Sequence, residues 1–195
     1  MTRWLAAITL ALAAAGAQAQ QGEPCVHPRT QQELPQILGP GFQRTGTHSF
    51  EAANPGQGCS VRYQHPSGMW ADVYIYRAGL GVIEDVPRDP RLMNEFQQAF
   101  AGITYMWQKQ RDAKVSDMQG QYEPRGQAGV EALVGSALIE PPAKPALRTH
   151  VLLWSGSGSI WKLRVTFPKA DQAVSDPAVR ALGEALVDLS REAAL

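Results

Sequence analysis

Two pairs of strand-like segments flank loops so short that each pair can only form an antiparallel hairpin. Residues 61–65 and 69–76 lie on either side of a three-residue loop, Pro66-Ser67-Gly68. Residues 147–154 and 160–167 lie on either side of residues 155–159, whose sequence Ser-Gly-Ser-Gly-Ser favours a turn. Strands joined by tight turns must be antiparallel. The chain is therefore restricted to folds built around an antiparallel sheet.

The first loop predicts which residues face each other across its hairpin. Gly68 supplies the left-handed residue that a three-residue hairpin loop needs. This loop sets Tyr63 opposite Ala71 on one face and Arg62 opposite Asp72 on the other. The pairing of an arginine with an aspartate supports that register.

The last hairpin predicts a basic surface. If Trp154 pairs with Ile160 across residues 155–159, one face of the hairpin is apolar. The opposite face then carries four basic or titratable side chains along about 15 Å, with Trp154 at the end: Arg148, His150, Lys162 and Arg164. We expect this surface to bind a small anionic ligand or an acidic protein partner. The alternative is that the long stems lie over the sheet and their charged heads reach water or carboxylates.

Two other segments have the periodicity of amphipathic helices. In residues 90–108, Asp89 is the expected N-cap and Pro90 suits the first helical position. The C-terminal segment repeats the pattern, with Asp176 as the expected cap and Pro177 as the first residue. The apolar positions of the first helix are Leu92, Phe96, Phe100, Ile103 and Trp107. Those of the second are Val179, Leu182, Leu186 and Leu189.

The remaining segments complete a single-domain α+β fold. Thr30-x-x-Glu33 indicates a short helix over residues 31–38, although Pro35 would remove one of its hydrogen bonds. Residues 113–122 and 132–140 are two further strands. Amphipathic helices need a sheet face to cover, so we predict an antiparallel sheet of about six strands flanked by helices, an α/β/α sandwich.

The element order resembles that of a known group of folds. An early hairpin, a long helix, further antiparallel strands, a closing strand of sequence Trp-Lys-Leu-Arg-Val-Thr-Phe-Pro at 161–168 and a C-terminal helix look like the PsbP-like and DcrB-like α/β/α sandwiches. The resemblance covers roughly residues 45–195. It implies an accessory or binding role more often than an enzymatic one, and it brings no catalytic motif.

The N-terminal segment has the pattern of a Sec signal peptide. Arg3 gives a positive start, residues 4–16 are an apolar run, and Ala17-Gln18-Ala19 has small residues at the positions that a signal peptidase reads. The apolar run is shorter than the roughly 20 residues of a membrane-spanning helix. We therefore predict cleavage after Ala19, a periplasmic or secreted protein without membrane insertion, an N-terminal arm over 20–44 and the sandwich over 45–195.

Export also bears on the two cysteines. Cys25 and Cys59 are the only cysteines in the sequence, and an oxidising compartment favours a disulfide between them. The chain-entropy model gives such a cross-link roughly 4 kcal/mol. A zinc site is the weaker reading, because Cys25 and His27 lack further ligands at suitable spacing.

Charge and motifs exclude several classes of function. The 195 residues carry 18 Lys and Arg against 18 Asp and Glu, so the whole molecule has no positive field to attract nucleic acid. We expect no metal and no cofactor, because the histidines are scattered and no phosphate-binding loop is present. Gly156-Ser157-Gly158 lies in a hairpin and is not a nucleophile elbow.

We therefore expect an exported binding or accessory module and assign no catalytic residue. The alternative is a hydrolase-type enzyme whose residues come from separate loops. A pocket that gathers at least two particular side chains would favour this alternative: His48, His65, Asp72, Asp85 and Ser157.

Overall fold

The computed structural model describes residues 24–85 and 88–192; the predicted signal peptide and its cleavage site lie outside them. The described residues form eight strands: β1 (Ile37–Leu38), β2 (Phe42–Ser49), β3 (Cys59–Gln64), β4 (Trp70–Tyr76), β5 (Lys114–Arg125), β6 (Val130–Glu140), β7 (Leu147–Gly156) and β8 (Ser159–Pro168). Two helices accompany them: α1 (Pro90–Thr104) and α2 (Gln172–Leu189). A π-helical turn (Tyr105–Lys109) follows α1, and a 3₁₀ turn (Lys169–Asp171) precedes α2.

All eight strands belong to one antiparallel sheet, in the order β1-β2-β3-β4-β8-β7-β6-β5. Each half of the sheet is a run of hairpins, because loops of at most nine residues join strands that are neighbours in sequence. The two halves meet where β4 pairs with β8, and α1 makes the connection between them. The fold is therefore α+β as predicted, but its sheet has eight strands where about six were expected.

The two extra strands are β1, which lies in the predicted arm, and β2, which begins there. The short helix predicted over residues 31–38 is wrong. Glu33 forms an isolated antiparallel bridge with Val26, and residues 37 and 38 pair with β2. Pro35 disfavours a helix at this point. Leu34 and Leu38 are instead buried in the core. The predicted domain boundary at residue 45 consequently falls inside β2, which has too few apolar residues to reveal itself as a strand.

The helices cover opposite faces of the sheet. Successive residues of a strand point to opposite faces, and on β7 Leu153 lies in the cluster packed on α1 whereas Leu152 lies in the cluster packed on α2. Phe96 and Phe100 of α1 lie directly over Gly135, where an added Cβ would come within 2.6 Å of the Phe96 ring. That glycine leaves the room that the aromatic rings occupy.

Helix α1 begins as predicted. The Asp89 carboxylate accepts a hydrogen bond of 2.8 Å from the Arg91 backbone N–H, and Pro90 is the first helical residue. The five predicted apolar positions from Leu92 to Trp107 are all buried, Trp107 on the π-helical turn that extends the helix.

Helix α2 begins five residues earlier than predicted, so the assignment of Asp176 as its cap is wrong. Pro177 lies inside the helix. At this distance from the start its missing N–H removes a single backbone hydrogen bond, which the helix tolerates because Val179, Leu182 and Leu186 bury the apolar face against the sheet. Asp176 is thereby free to face the sheet.

The last hairpin has a two-residue turn instead of the predicted five-residue loop. Ser157 and Gly158 have φ values of 52° and 77°, the positive values that a type I′ turn requires at both positions. The strands therefore continue through Gly156 and restart at Ser159. Trp154 pairs with Trp161, and the predicted register is wrong by one residue.

The predicted disulfide is confirmed. Cys25 is bonded to Cys59 at the start of β3, and this bond ties the N-terminal segment to the sheet. Across the part of the chain that the structure describes, no helix is long and apolar enough to cross a membrane.

Candidate functional site

The corrected register divides the predicted basic surface between the two faces of the sheet. A shift of one residue moves every side chain of one strand to the other face relative to its partner. Lys162 now lies opposite Leu153, and Arg164 lies opposite Val151, both on the α1 face. Arg148 and His150 lie on the α2 face. The expected single surface of four side chains is therefore wrong.

Trp154 has no place on a binding surface. Its side chain is fully buried, stacks on Trp161 with ring centroids 6.2 Å apart, and donates a hydrogen bond of 2.9 Å to the Ser190 hydroxyl. Arg148 is also mostly covered, with one guanidinium nitrogen 3.9 Å from the carboxylate of Asp117. Trp154 and Arg148 therefore make their contacts within the protein and expose little surface to a ligand.

On the α1 face, Lys162 lines a cavity of about 420 Å³ between α1 and the strands β4 and β8. The cavity, which we call the Lys162 pocket, is lined by Phe50, Gln57, Tyr74, Tyr76, Glu95, Gln98, Ala99, Gly102, Ile103, Lys162 and Arg164. The ammonium of Lys162 lies 4.5 Å from the ring centroid of Tyr74 and 5.0 Å from that of Tyr76.

The Lys162 ammonium makes no salt bridge with any described carboxylate, since none lies within 4.0 Å. Burial, helped by the charge of Arg164, lowers the pKa of Lys162 to about 8. The electron-rich faces of the two tyrosines offset part of the cost of burying the charge. The site therefore holds a cation that is still available to an anion.

The neighbouring Arg164, by contrast, is already paired. Its guanidinium donates a hydrogen bond of 2.7 Å to Asp72, which also accepts one of 2.7 Å from Arg62. Burial acts to raise the pKa of Asp72, but the hydrogen bonds from the two arginines outweigh burial and hold that pKa below its usual range. The predicted pairing of Arg62 with Asp72 is confirmed.

Glu95 is the negative group of the Lys162 pocket. Its carboxylate accepts a hydrogen bond of 3.1 Å from the Tyr76 hydroxyl. Burial, together with the charge of Glu95, raises the pKa of Tyr76, so this hydroxyl stays protonated and remains a donor. The pocket thus has one unpaired cation, one carboxylate held at its side, and aromatic surface between them.

On the α2 face, His150 lies in a second cavity, of about 550 Å³, between β5–β7 and the first half of α2. We call this cavity the His150 groove; it is lined by Glu123, Arg125, Val134, His150, Leu152, Ala173, Asp176, Pro177, Val179 and Arg180. His150 stacks on Phe167 at a centroid distance of 5.5 Å. Its Nε2 lies 3.4 Å from the Asp176 carboxylate.

Burial lowers the pKa of His150, and the charge of Asp176 only partly opposes this effect. His150 is therefore neutral at pH 7. At the other end of the groove, Arg125 is paired with Glu123. Burial acts to raise the pKa of Glu123, but hydrogen bonds from Gln121 and Arg125 outweigh it and hold that pKa low.

None of the side chains proposed for a hydrolase lines the Lys162 pocket or the His150 groove, although Ser157 and Asp85 contact the adjacent residues Ser190 and Arg191. The five side chains are His48, His65, Asp72, Asp85 and Ser157. Ser157 donates a hydrogen bond to the Ser190 carbonyl, and His65 contacts the Ser67 hydroxyl at 2.8 Å. Within the described residues, no group of three or more His, Cys, Asp or Glu is arranged to hold a metal ion.

Sequence reasoning missed most of the lining of both cavities. Tyr74 could have been found, because it lies opposite Lys162 once β4 is placed beside β8. Glu95 and Asp176 reach their cavities from helices, and nothing in the strand pattern indicates which helical turn lies over which strand.

No family model matches this chain, and no curated protein matches it.

Proposed function

We propose that this chain is an exported, non-enzymatic binding module and that its Lys162 pocket holds a small organic anion. The observation that carries the proposal is the Lys162 ammonium, half-buried over two tyrosine rings and without a carboxylate within 4.0 Å among the described residues. A charge in such surroundings is expensive to maintain unless it is used.

The lining of the pocket specifies the chemistry of the anion. Lys162 supplies one positive point, while Tyr74, Ile103 and Phe50 supply apolar surface beside it. Arg164 is paired with Asp72, so it contributes positive charge but does not offer its guanidinium for a two-point contact with a ligand. Glu95 repels anions and limits the net positive charge. A single carboxylate attached to an aromatic body therefore fits better than a multiply charged phosphate compound.

Benzoate tests this proposal, with benzyl alcohol as the neutral probe of the same shape. We expect calorimetric titration of the wild-type protein to detect benzoate at millimolar concentration and not benzyl alcohol. Lys162→Met keeps the stem and removes the charge, so it is expected to weaken benzoate binding at least tenfold. Lys169→Met, at an exposed lysine outside the pocket, is the control.

The pH and salt dependence of the same titration separates the ammonium from general apolar affinity. Because the pKa of Lys162 is about 8, benzoate affinity is expected to fall as the pH rises from 7 to 9. It should also fall as salt screens the charge. Equal binding of benzoate to wild type and Lys162→Met would overturn the proposed site.

The exported character is supported by the Cys25–Cys59 bond, since disulfides persist in oxidising compartments. Kinship with the PsbP-like and DcrB-like sandwiches is part of the proposal, and one antiparallel sheet with a helix on each face is consistent with it. Both features agree with an accessory or binding role in the periplasm or outside the cell.

A further inference from the structure

The His150 groove contains buried polar atoms that the protein itself does not satisfy. Arg125 Nε, His150 Nε2 and Asp176 Oδ1 are buried and have no hydrogen-bond partner among the described residues. The His150 and Asp176 atoms face each other at 3.4 Å without hydrogen-bond geometry. Arg125 is only 7% exposed. Three such atoms on residues that line one cavity are unusual, because more than about nine in ten buried polar groups are paired.

Each unsatisfied atom carries a penalty that a ligand would remove. A buried donor or acceptor without a partner costs about 1–3 kcal/mol. The Arg125 Nε–H is a donor and requires an acceptor, whereas Asp176 Oδ1 requires a donor; the other Asp176 oxygen accepts a hydrogen bond of 3.2 Å from Gln172. A ligand that satisfies both must therefore carry an acceptor at one end and a donor at the other.

The two ends of the groove differ in charge. Arg180 stands at the rim beside Glu123, whose pKa it helps to lower, so the Arg125 end has two cations for one carboxylate. At the other end Asp176 is the charged group that lines the cavity, because His150 is neutral and Arg148, on the same face, lies beside Asp117 outside the lining. The arrangement favours a negative group near Arg125 and a positive group near Asp176.

The two ends are also far apart. His150 of β7 pairs with Ser136 of β6, and Ser136 pairs with Gln119 of β5. Along β5, Gln119 is six residues from Arg125. Six residues of strand span about 20 Å between the backbone positions, but the Arg125 side chain is paired with Glu123, whose charge acts on His150, so the charged groups lie closer together than the backbone does. The ammonium and carboxylate of a single amino acid are too close together to reach both ends, whereas a tripeptide extends up to about 10 Å.

Between the ends the groove is apolar, with Val134 and Leu152 on the sheet and Val179 on α2. We propose that the His150 groove binds a short zwitterionic peptide, with its N-terminal ammonium at Asp176 and His150, its C-terminal carboxylate at Arg125 and an aliphatic side chain on the apolar surface between them. The site is separate from the Lys162 pocket, which lies on the opposite face of the sheet.

Four probes test both ends of the proposed ligand in calorimetric titrations of the wild-type protein. They are the tripeptide Ala-Leu-Ala, its N-acetyl form, its C-terminal amide and free leucine. We expect Ala-Leu-Ala to bind at micromolar to millimolar concentration, each capped form to bind at least tenfold more weakly, and leucine to give no measurable heat.

Two variants locate the site. Asp176→Asn removes the charge from a side chain that is 43% exposed, so the fold should tolerate it. It is expected to weaken Ala-Leu-Ala at least tenfold without changing the residual affinity for the N-acetyl form. Glu140→Gln, which removes an exposed carboxylate paired with Lys114, is the matched control.

Equal affinity for the free and capped peptides would overturn the proposal, as would unchanged binding to Asp176→Asn. Failure of every probe at 10 mM would also overturn it and would assign the groove to water alone. Benzoate binding at Lys162 is measured independently, so either site can fail without the other.

Discussion

Lys162 carries a charge that the folded protein holds at some cost. Its pKa is about 8, against an ordinary value of 10.5. A lowered lysine pKa means that the folded state binds the proton less tightly than the unfolded state does. The destabilisation is therefore complete below pH 8 and is relieved as the pH rises from about 8 to 10.5.

The lowered pKa of Lys162 predicts how the free energy of unfolding depends on pH. We expect the free energy of unfolding of wild type, relative to that of Lys162→Met, to increase between pH 7.5 and pH 9.5. Urea denaturation of both proteins at the two pH values measures the effect, and other titrating groups cancel in the comparison. The same comparison with Lys169→Met should give no pH dependence. A constant difference at Lys162 would mean that its ammonium is fully solvated.

At the scale of single elements, α1 is held by its aromatic residues. Phe100 packs edge to face on Phe96, with centroids 5.0 Å apart, over Gly135 of the sheet. Phe100→Ala removes a buried ring and should lower the free energy of unfolding by about 3–5 kcal/mol. Gln97→Ala, on the exposed side of the same helix, should change it by less than about 0.5 kcal/mol. Equal losses in chemical denaturation would mean that α1 is rotated.

The two hairpins explain how far the sequence could predict the structure. In the first, Pro66 and Gly68 permit one loop length, and the predicted pairing of Tyr63 with Ala71 is confirmed. In the second, Ser and Gly alternate over 155–159, so several turns of different length are compatible with the sequence. The two-residue turn at Ser157 and Gly158 forms because both adopt positive φ.

One residue of register decided the candidate site. The sequence correctly predicts that β7 and β8 are strands, but the length of the turn between them determines which face each β7 side chain shares with its β8 partner. The burial of Trp154 beside Trp161 requires the observed register, and this packing is a tertiary effect. The Lys162 pocket and the His150 groove also need helices to close them, which strand patterns alone do not predict.

At the scale of the whole molecule, the two cavities lie on opposite faces of one sheet. Each forms where one helix leaves part of its face open: α1 beside β4 and β8, and α2 beside β5–β7. The sheet separates them, because the strands between are filled by fully buried side chains such as Leu163 and Leu153. A ligand at one site is therefore expected to leave affinity at the other unchanged unless the whole sheet moves.

The N-terminal segment is part of this molecule through both packing and a covalent bond. Cys25, Leu34 and Leu38 are buried in the cluster that also contains α2. His27 adds a contact of 3.0 Å between its Nε2 and the Leu189 carbonyl at the end of that helix. Residues 24–38 thus link the first strands to the last helix.

The disulfide should therefore contribute strongly to global stability. Replacing both Cys25 and Cys59 with serine frees the unfolded chain from a long cross-linked loop, which should lower the free energy of unfolding by about 2–4 kcal/mol. Denaturant midpoints of wild type with and without a reducing agent measure the same quantity, and the double variant should not respond to the reducing agent. The intact mass of the exported wild type should equal that of residues 20–195 less two hydrogens. Coincident midpoints for all three samples would mean that packing of Leu34 and Leu38 alone holds the segment.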